Sequence, residues 1–241
     1  MNKIKSISEH IVFFNNEVLQ EPLDLPIGYE LVNPFNGDKK DVVNNIVNAF
    51  YGKFYNDTKP RRLILGSSPA RRGSSVTGIP FEDAEHLQKE TGIFIDEFYI
   101  NKSSSGFLYD VINEYGGCEK FYSDFYMNFV CPLGIVKTNV KGNKVNCNYY
   151  ENKSLKEALY PFIIHSIQAQ INFGLDTSVC YCIGSGENYK FLSSINQKYK
   201  FFNKIVPLEH PRYIMQYNSK NKDIYIKKYL DALCRNHTTS K

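Results

Sequence analysis

The chain of 241 residues is long enough to bury a substantial core, and its 42% hydrophobic and 22% charged residues are ordinary for a globular protein. The 29 Lys and Arg against 25 Asp and Glu give a formal net charge of +4, which is too mild to indicate nucleic-acid binding by itself. No apolar run approaches the roughly 18 residues that span a membrane, and the first residues lack the apolar segment of a signal peptide. We therefore expect a cytoplasmic protein that does not cross a membrane.

Six cysteines are scattered along the chain without a C-x-x-C pair. Cys131, Cys180 and Cys182 lie within apolar, strand-like runs, where a reduced cysteine acts as a small core residue. Zinc and iron–sulfur sites use closely spaced thiolates, and this spacing argues against either. We expect no metal and no cofactor.

Hydrophobic spacing predicts helices that alternate with strands. In chain order, the predicted elements are a helix over 41–55, a strand over 62–65, a helix over 107–115, a strand over 128–136 interrupted at Pro132, a hairpin over 140–149, a helix over 154–173, a strand over 178–183, a helix over 187–197, a strand over 204–208 and a mainly helical segment over 211–233 that breaks near 218–221. Such alternation implies a three-layer α/β/α fold with a central, mainly parallel sheet of about four strands. We expect one domain over 1–235, a monomer, and a disordered tail over 236–241.

The predicted helix 154–173 has the clearest end signals. Ser154 stands at the N-cap position, and Glu157 three residues later completes a capping box. Gly174 follows the last turn, where glycine commonly ends a helix.

Polar residues follow two of the predicted strands. Strand 62–65 leads into Gly-Ser-Ser-Pro-Ala-Arg-Arg-Gly over 66–73, with Thr-Gly-Ile-Pro-Phe over 77–81, and strand 204–208 leads into Glu-His-Pro-Arg. Ligands of open α/β sheets bind at the carboxyl ends of the strands. We therefore expect the backbone N–H groups, hydroxyls and guanidiniums of both loops to line a binding site.

Three segments together resemble the uracil-DNA glycosylase superfamily, and in particular its single-strand-selective monofunctional branch. The loop 66–81 is similar to motif one, the Asn-Phe-Val-Cys-Pro-Leu stretch over 128–133 is similar to the branch's Asn-containing strand, and the His-Pro pair at 210–211 is similar to the start of motif two. The resemblance implies a DNA repair enzyme that flips a base out of the stack and hydrolyses its N-glycosidic bond by water attack at C1′. It implies uracil as the substrate, with other deaminated bases as further candidates.

The resemblance also assigns catalytic positions to Gly66, Ser68 and His210. In such an enzyme His210 donates to uracil O2, where negative charge develops as the bond breaks. The alternative for a lone histidine is a structural residue with satisfied hydrogen bonds.

Four further positions match the family's base-binding residues. Phe81 matches the stacking position, and the amide of Asn128 matches the group that pairs with uracil O4 and N3–H. Gly78 and Pro80 shape the same segment. Core packing for Phe81 and capping of local backbone for Asn128 are the alternatives.

Motif one departs from the family pattern at two positions. Ser68 stands where the family has an Asn that positions the attacking water, and Ala70 stands where Gly is usual. A hydroxyl has a shorter reach than an amide, so we expect a re-placed water or a different helper. Glu82 and Asp83 are candidates for a general base or a charge-stabilising carboxylate, the alternative being solvated loop residues.

Arginines near the two loops are the candidates for contacts with DNA, single-stranded or double-stranded. Arg71, Arg72 and Arg212 are placed to bind backbone phosphates, which guanidinium groups engage with two parallel hydrogen bonds. Arg61 and Arg62 precede their strand and are expected at the opposite edge of the sheet, exposed to solvent.

Two other functions stay open on the sequence. One is a catalytically impaired sensor that keeps the base pocket but lacks the motif-one Asn. The other is a nucleotide-handling enzyme that uses 66–73 as a phosphate cradle, and the absence of a Gly-Lys-Ser/Thr sequence counts against it.

Overall fold

The computed structural model describes residues 5–94 and 103–235. These residues form ten α-helices: α1 Ile7–Asn16, α2 Lys40–Phe54, α3 Ser74–Thr77, α4 Ala84–Thr91, α5 Ser103–Tyr115, α6 Cys118–Asp124, α7 Lys153–Ile171, α8 Glu187–Tyr199, α9 Pro211–Tyr217 and α10 Lys222–Arg235. The described residues also form seven strands: β1 Tyr29–Val32, β2 Arg62–Gly66, β3 Phe125–Phe129, β4 Gly134–Thr138, β5 Lys144–Asn146, β6 Asp176–Ile183 and β7 Lys204–Leu208. The predicted tail over 236–241 lies outside the described residues.

A four-stranded parallel sheet in the order β3-β2-β6-β7, flanked by helices, confirms the predicted α/β fold. All five residues of β2 are buried, as expected for the apolar run of a central strand. Gly66 pairs with Phe129, and Ile183 pairs with Leu208, so the carboxyl ends of all four strands meet at one edge. After β2 the chain first adds β3 on one side of it and then β6 on the other side, so a topological switch point lies between β2 and β6.

A second, antiparallel sheet in the order β1-β4-β5 corrects the prediction of one interrupted strand over 128–136. The two halves of that segment, β3 and β4, belong to different sheets. Pro132 lies in the turn between them, because it lacks the N–H that a continuing strand would need. The predicted hairpin exists, but it joins β4 to β5 around residues 139–143 instead of spanning 140–149.

The helix predicted over 154–173 is α7, but its N-cap is Asn152 and not Ser154. The Asn152 Oδ1 accepts from the backbone N–H of Ser154 at 2.8 Å and of Leu155 at 3.3 Å. Asparagine caps helices as well as serine does, and the N-cap lies two residues before the predicted one. The break predicted near 218–221 is confirmed, since a short 3₁₀ turn over Ser219–Asn221 separates α9 from α10.

Arg61 and Arg62 lie at the amino end of β2, away from the loops, but they are buried and not solvated as predicted. The guanidinium of Arg61 donates to Asp57 at 2.7 Å and to the carbonyl oxygen of Tyr122 at 2.6 Å. A buried guanidinium is tolerated when its donors are satisfied in this way. Both arginines are therefore structural residues at the amino end of β2, the end opposite the loops that carry the candidate DNA contacts.

Buried side chains from α1 to α10 form one continuous hydrophobic cluster, which packs on both faces of the parallel sheet. Cys180 and Cys182 belong to it, on β6. Within the described ranges, no helix combines the length and the apolar character needed to cross a membrane.

Candidate active site

The loop after β2 presents the hydroxyls of Ser67 and Ser68 at the carboxyl edge of the sheet. Ser67 Oγ donates to Asn148 Oδ1 at 3.0 Å, and Ser68 Oγ lies 3.4 Å from the same oxygen. The backbone N–H of Arg71 donates to Asn146 Oδ1 at 3.0 Å. Asn146 ends β5, and Asn148 follows it closely, so the second sheet holds this loop in place.

A cavity of about 480 Å³ opens beside this loop, which is a common size for a small-molecule site. The residues given a candidate role from the sequence that line it are Ser68, Arg71, Arg72, Phe81, Glu82, His210 and Arg212. The lining also includes Ser67, Ser104, Ser105, Phe129, Lys144 and Asn146. Loops that are far apart in the sequence thus converge on one space.

An aromatic wall made by Phe81 and Phe129 bounds the cavity. The two ring centroids are 5.0 Å apart, with 30° between the planes. Phe81 has a φ of 62°, a left-handed conformation that is rare for an aromatic residue, and its N–H donates to Ser74 Oγ at 2.9 Å. Gly66 makes room for the wall, because a Cβ there would lie 2.6 Å from Phe81 Cζ and 2.8 Å from Phe129 Cδ1.

Asn128 lies on β3 behind this wall, outside the described residues that line the large cavity. Its side chain is 6% exposed, its Nδ2 donates to the Tyr126 hydroxyl at 2.8 Å, and its Oδ1 accepts from the Phe129 N–H at 2.9 Å. It lines a smaller cavity of about 20 Å³ that Phe129 separates from the large one. One amide hydrogen and one lone pair of Asn128 are left for a ligand.

Gly78 and Pro80 line the same smaller cavity. Gly78 ends α3 with a φ of 73°, and a Cβ there would lie 3.0 Å from both Val43 and Val47 on α2. A glycine is therefore required both by the backbone conformation and by the close packing on α2. Gly78 and Pro80 shape the back of the site and not the large cavity.

His210 is the N-cap of α9, and its ring has a defined hydrogen-bonding state. The Arg212 N–H donates to His210 Nδ1 at 3.1 Å, so the neutral ring carries its proton on Nε2. Burial, and secondarily the charge of Arg212, lowers the pKa of His210 to about 4. At neutral pH the imidazole is therefore uncharged, with Nε2–H as the donor available to a ligand.

Glu82 and Asp83 are buried, which rules out the solvated alternative for both. The hydroxyls of Tyr109 and Tyr122 each donate to the Glu82 carboxylate. Burial raises the pKa of Glu82 to about 7, although these two hydrogen bonds act in the opposite direction. Glu82 lines the large cavity and is therefore a titratable group at the site.

Asp83 has a structural role at the start of α4. Its side chain caps the helix through the His86 N–H at 3.0 Å and accepts from Ser105 Oγ at 2.7 Å. Burial alone would raise the pKa of Asp83, but the hydrogen bonds from His86 and Ser105 hold it below its ordinary value. Asp83 is thus fully occupied in fixing the segment that follows Phe81.

A second groove of about 430 Å³ continues from the cavity, since Ser68, His210 and Arg212 line both. Tyr213 and Tyr217 on α9 form its far side, 50% and 70% exposed, with ring centroids 5.8 Å apart. Large exposed aromatic side chains one turn apart present flat faces to solvent. Such faces bind planar ligands by stacking.

Sequence reasoning did not single out Asn146, Asn148, Tyr213 or Tyr217. The alternation of Asn146 and Asn148 at the end of a predicted hairpin was a weak signal, because it puts both amides on one face of the strand. The spacing of Tyr213 and Tyr217 by four residues in a predicted helix was a second such signal.

The chain is similar over most of its length to a known enzyme family and to a solved structure. The family model of the uracil DNA glycosylase superfamily matches residues 53–234. A solved structure described as wild-type SMUG2 from Pedobacter heparinus is 42% identical to this chain and superposes with a TM-score of 0.92, covering 97% of this chain and 99% of that one. A comparison with curated proteins finds none that matches.

The match covers the loop after β2, the Asn128 segment and the His210 segment, on which the resemblance was based. The resemblance and the enzyme class that it implied are therefore confirmed. The chain belongs to the uracil DNA glycosylase superfamily, and it is a DNA glycosylase, a hydrolase that cleaves N-glycosyl bonds.

Proposed function

We propose that this glycosylase excises uracil, and other deaminated bases that fit the same pocket, by monofunctional hydrolysis of a flipped-out nucleotide. The observation that carries the proposal is the convergence of Ser68, Phe81 and His210 on one cavity at the carboxyl edge of the sheet. A stacking ring, a neutral hydrogen-bond donor and a polar group that can hold a water supply what such a reaction uses.

His210 stabilises the leaving group in this mechanism. Breaking the N-glycosidic bond leaves negative charge on the base, and a preorganised donor in a site shielded from water stabilises that charge by about 3–4 kcal/mol. The Nε2–H of His210 is fixed as that donor by the Arg212 N–H on the other ring nitrogen. Because the ring is neutral, it stabilises that charge as a hydrogen-bond donor and not as a cation.

Base recognition combines Phe81 with Asn128. The base stacks on Phe81 and parts the aromatic wall, which joins the large cavity to the small one behind Phe129. The remaining lone pair and amide hydrogen of Asn128 then pair with uracil N3–H and O4, respectively. Cytosine presents an amino group at the second of these positions and is rejected.

A Schiff-base step is not part of the proposal. Lys144 lines the cavity, but its Nζ forms an ion pair with Glu30 at 2.6 Å. No lysine stands at a motif position of the resemblance, so covalent catalysis by lysine is not proposed. Water is therefore the attacking group, and an abasic site is the product.

DNA lies across the cavity and the adjoining groove in this proposal, bound by a monomer. Arg71, Arg72 and Arg212 supply charge at the rim for phosphates. Tyr213 and Tyr217 supply stacking faces for the bases next to the flipped nucleotide. Stacking on exposed aromatic rings requires unpaired bases, which favours single-stranded over double-stranded substrate.

The test is an excision assay on a single-stranded oligonucleotide with one uracil, with the same oligonucleotide carrying thymine as the control. Heating in alkali should break the strand at the uracil position only. If the folded protein yields no strand breaks at high enzyme concentration, the proposal is wrong. A binding measurement on the same oligonucleotide separates a sensor, which binds uracil DNA without product, from a protein that does not recognise uracil.

A further inference from the structure

Asn148 contacts the position at which motif one departs from the family pattern, although it lies 80 residues from Ser68 in the sequence. Its Oδ1 accepts from Ser67 Oγ at 3.0 Å and from Ser68 Oγ at 3.4 Å. An amide oxygen has two lone pairs, so it accommodates both hydroxyls. Position 68 lacks a carboxamide, but the side chain of Asn148, which contacts Ser68, supplies one.

Glu151 fixes which end of the Asn148 amide faces the serines. Glu151 Oε1 accepts from the Asn148 backbone N–H at 2.8 Å and from its Nδ2 at 3.4 Å, and Glu151 Oε2 accepts from Lys137 Nζ at 3.0 Å. With Nδ2 turned toward a carboxylate, Oδ1 is left facing the loop after β2. The negative charge of the Glu151 carboxylate therefore fixes the orientation of the Asn148 amide.

This orientation determines the role that the Ser68 hydroxyl can play. Its single proton is directed to Asn148, so its lone pairs remain for another donor. Ser68 lines the large cavity together with His210, at the place where a flipped nucleotide would lie. A water in that space can donate to Ser68 Oγ and keep its own lone pair for C1′.

We infer that Asn148 is a positioning residue that replaces the missing motif-one amide by holding the Ser68 hydroxyl as the acceptor for the attacking water. The inference rests on the proposed function, since it concerns the water of that reaction. Asn148 acts on the reacting water through Ser68, since Ser68 lines the large cavity whereas Asn148 lines the adjoining groove.

A double-mutant cycle on single-turnover excision of uracil tests this role. Asn148→Ala should lower the rate about 10–100-fold, because a misplaced reacting group costs on that order, while KM stays within about twofold. In a Ser68→Ala background, the same substitution should cost no more than about twofold, since two residues that act through one contact are not additive. Equal losses in both backgrounds would overturn the inference, as would coupling of Asn148 to Ser67 but not to Ser68.

Two further variants guard against a purely structural effect. Asn152→Ala removes a neighbouring amide that only caps α7, and it should lower the melting temperature without changing the rate. Asn148→Asp should be poorly active, because it places a second carboxylate beside Glu151 Oε1. Adding Glu151→Ala should raise the rate again by at least about threefold, since it removes the repulsion and leaves an aspartate oxygen to accept from Ser68 Oγ, while water can replace Glu151 at the exposed Asn148 backbone N–H. No recovery in the double variant would count against Asn148 even if Asn148→Ala fails to fold. An inactive wild-type enzyme would refute the proposed function itself, whereas an active wild type with additive losses refutes only the role of Asn148.

Discussion

Replacing His210 separates its two roles, that of helix cap and that of hydrogen-bond donor. His210→Ala removes both the acceptor for the Arg212 N–H and the Nε2–H donor. Loss of the cap should cost about 1 kcal/mol of unfolding free energy. Loss of a preorganised donor to the leaving base should lower the single-turnover rate about 100–1,000-fold, equivalent to about 3–4 kcal/mol.

His210→Ser is the matched control, since serine caps helices well but is too short to reach the base. It should recover the stability lost in His210→Ala without recovering the rate. The measurement is uracil excision under single-turnover conditions, beside urea denaturation of both variants. A rate for His210→Ala within about twofold of wild type would refute the donor role.

The pH profile provides an independent check of the same residue. The pKa of His210 is lowered from 6.5 to about 4, so the ring stays neutral as the pH rises through the ordinary range of histidine. The wild-type rate should therefore show no loss that depends on His210 between pH 5.5 and pH 8. A wild-type rate that falls as the pH rises through about 6.5, and a His210→Ser rate that does not, would mean that the charged imidazolium is the active form.

Three further predictions concern the walls of the site. The pKa of Glu82 is raised from 4.5 to about 7, so the folded state holds a proton that the unfolded chain releases, and the wild-type free energy of unfolding should fall by up to about 3 kcal/mol as the pH rises from 4.5 to about 7. Urea denaturation at several pH values should show a smaller fall for Glu82→Gln. An equal fall in both proteins would contradict the burial argument. Gly66→Ala should destabilise the fold by about 1–3 kcal/mol, because its Cβ would lie 2.6 Å from Phe81, and an unchanged urea midpoint would show that the aromatic wall yields freely. Tyr213→Ala and Tyr217→Ala should each weaken binding of single-stranded DNA by about 1–3 kcal/mol in fluorescence anisotropy and affect duplex binding less, whereas equal losses on both would argue against base stacking.

The positions of β2, β6 and β7 and of the two loops could be predicted from the sequence, because their signals are local. An apolar run such as 63–65 followed by Gly66 and two serines indicates a buried strand and its polar exit, and His210 before a proline indicates the start of a helix. Since parallel strands share one carboxyl edge, the meeting of these two loops followed from the fold class alone.

The contacts that set the chemistry of the site could not be predicted in this way. Glu82 is buried because tyrosines 27 and 40 residues further along the chain meet it. Asn148 reaches Ser68 only because β5 pairs with β4 in a second sheet, and the apolar pattern did not resolve that sheet. Arg61 was expected in solvent because charge is usually exposed, and its burial depends on acceptors that only the folded chain assembles.

A crystal structure with free uracil bound tests most directly the claim that Phe81, Asn128 and His210 act on one base. We predict uracil stacked on Phe81, with His210 Nε2 about 3 Å from O2 and the Asn128 amide paired with O4 and N3–H. The Phe81 and Phe129 rings, now 5.0 Å apart, should separate to admit it. Uracil bound elsewhere in the cavity, with His210 and Asn128 out of hydrogen-bond reach, would contradict the account.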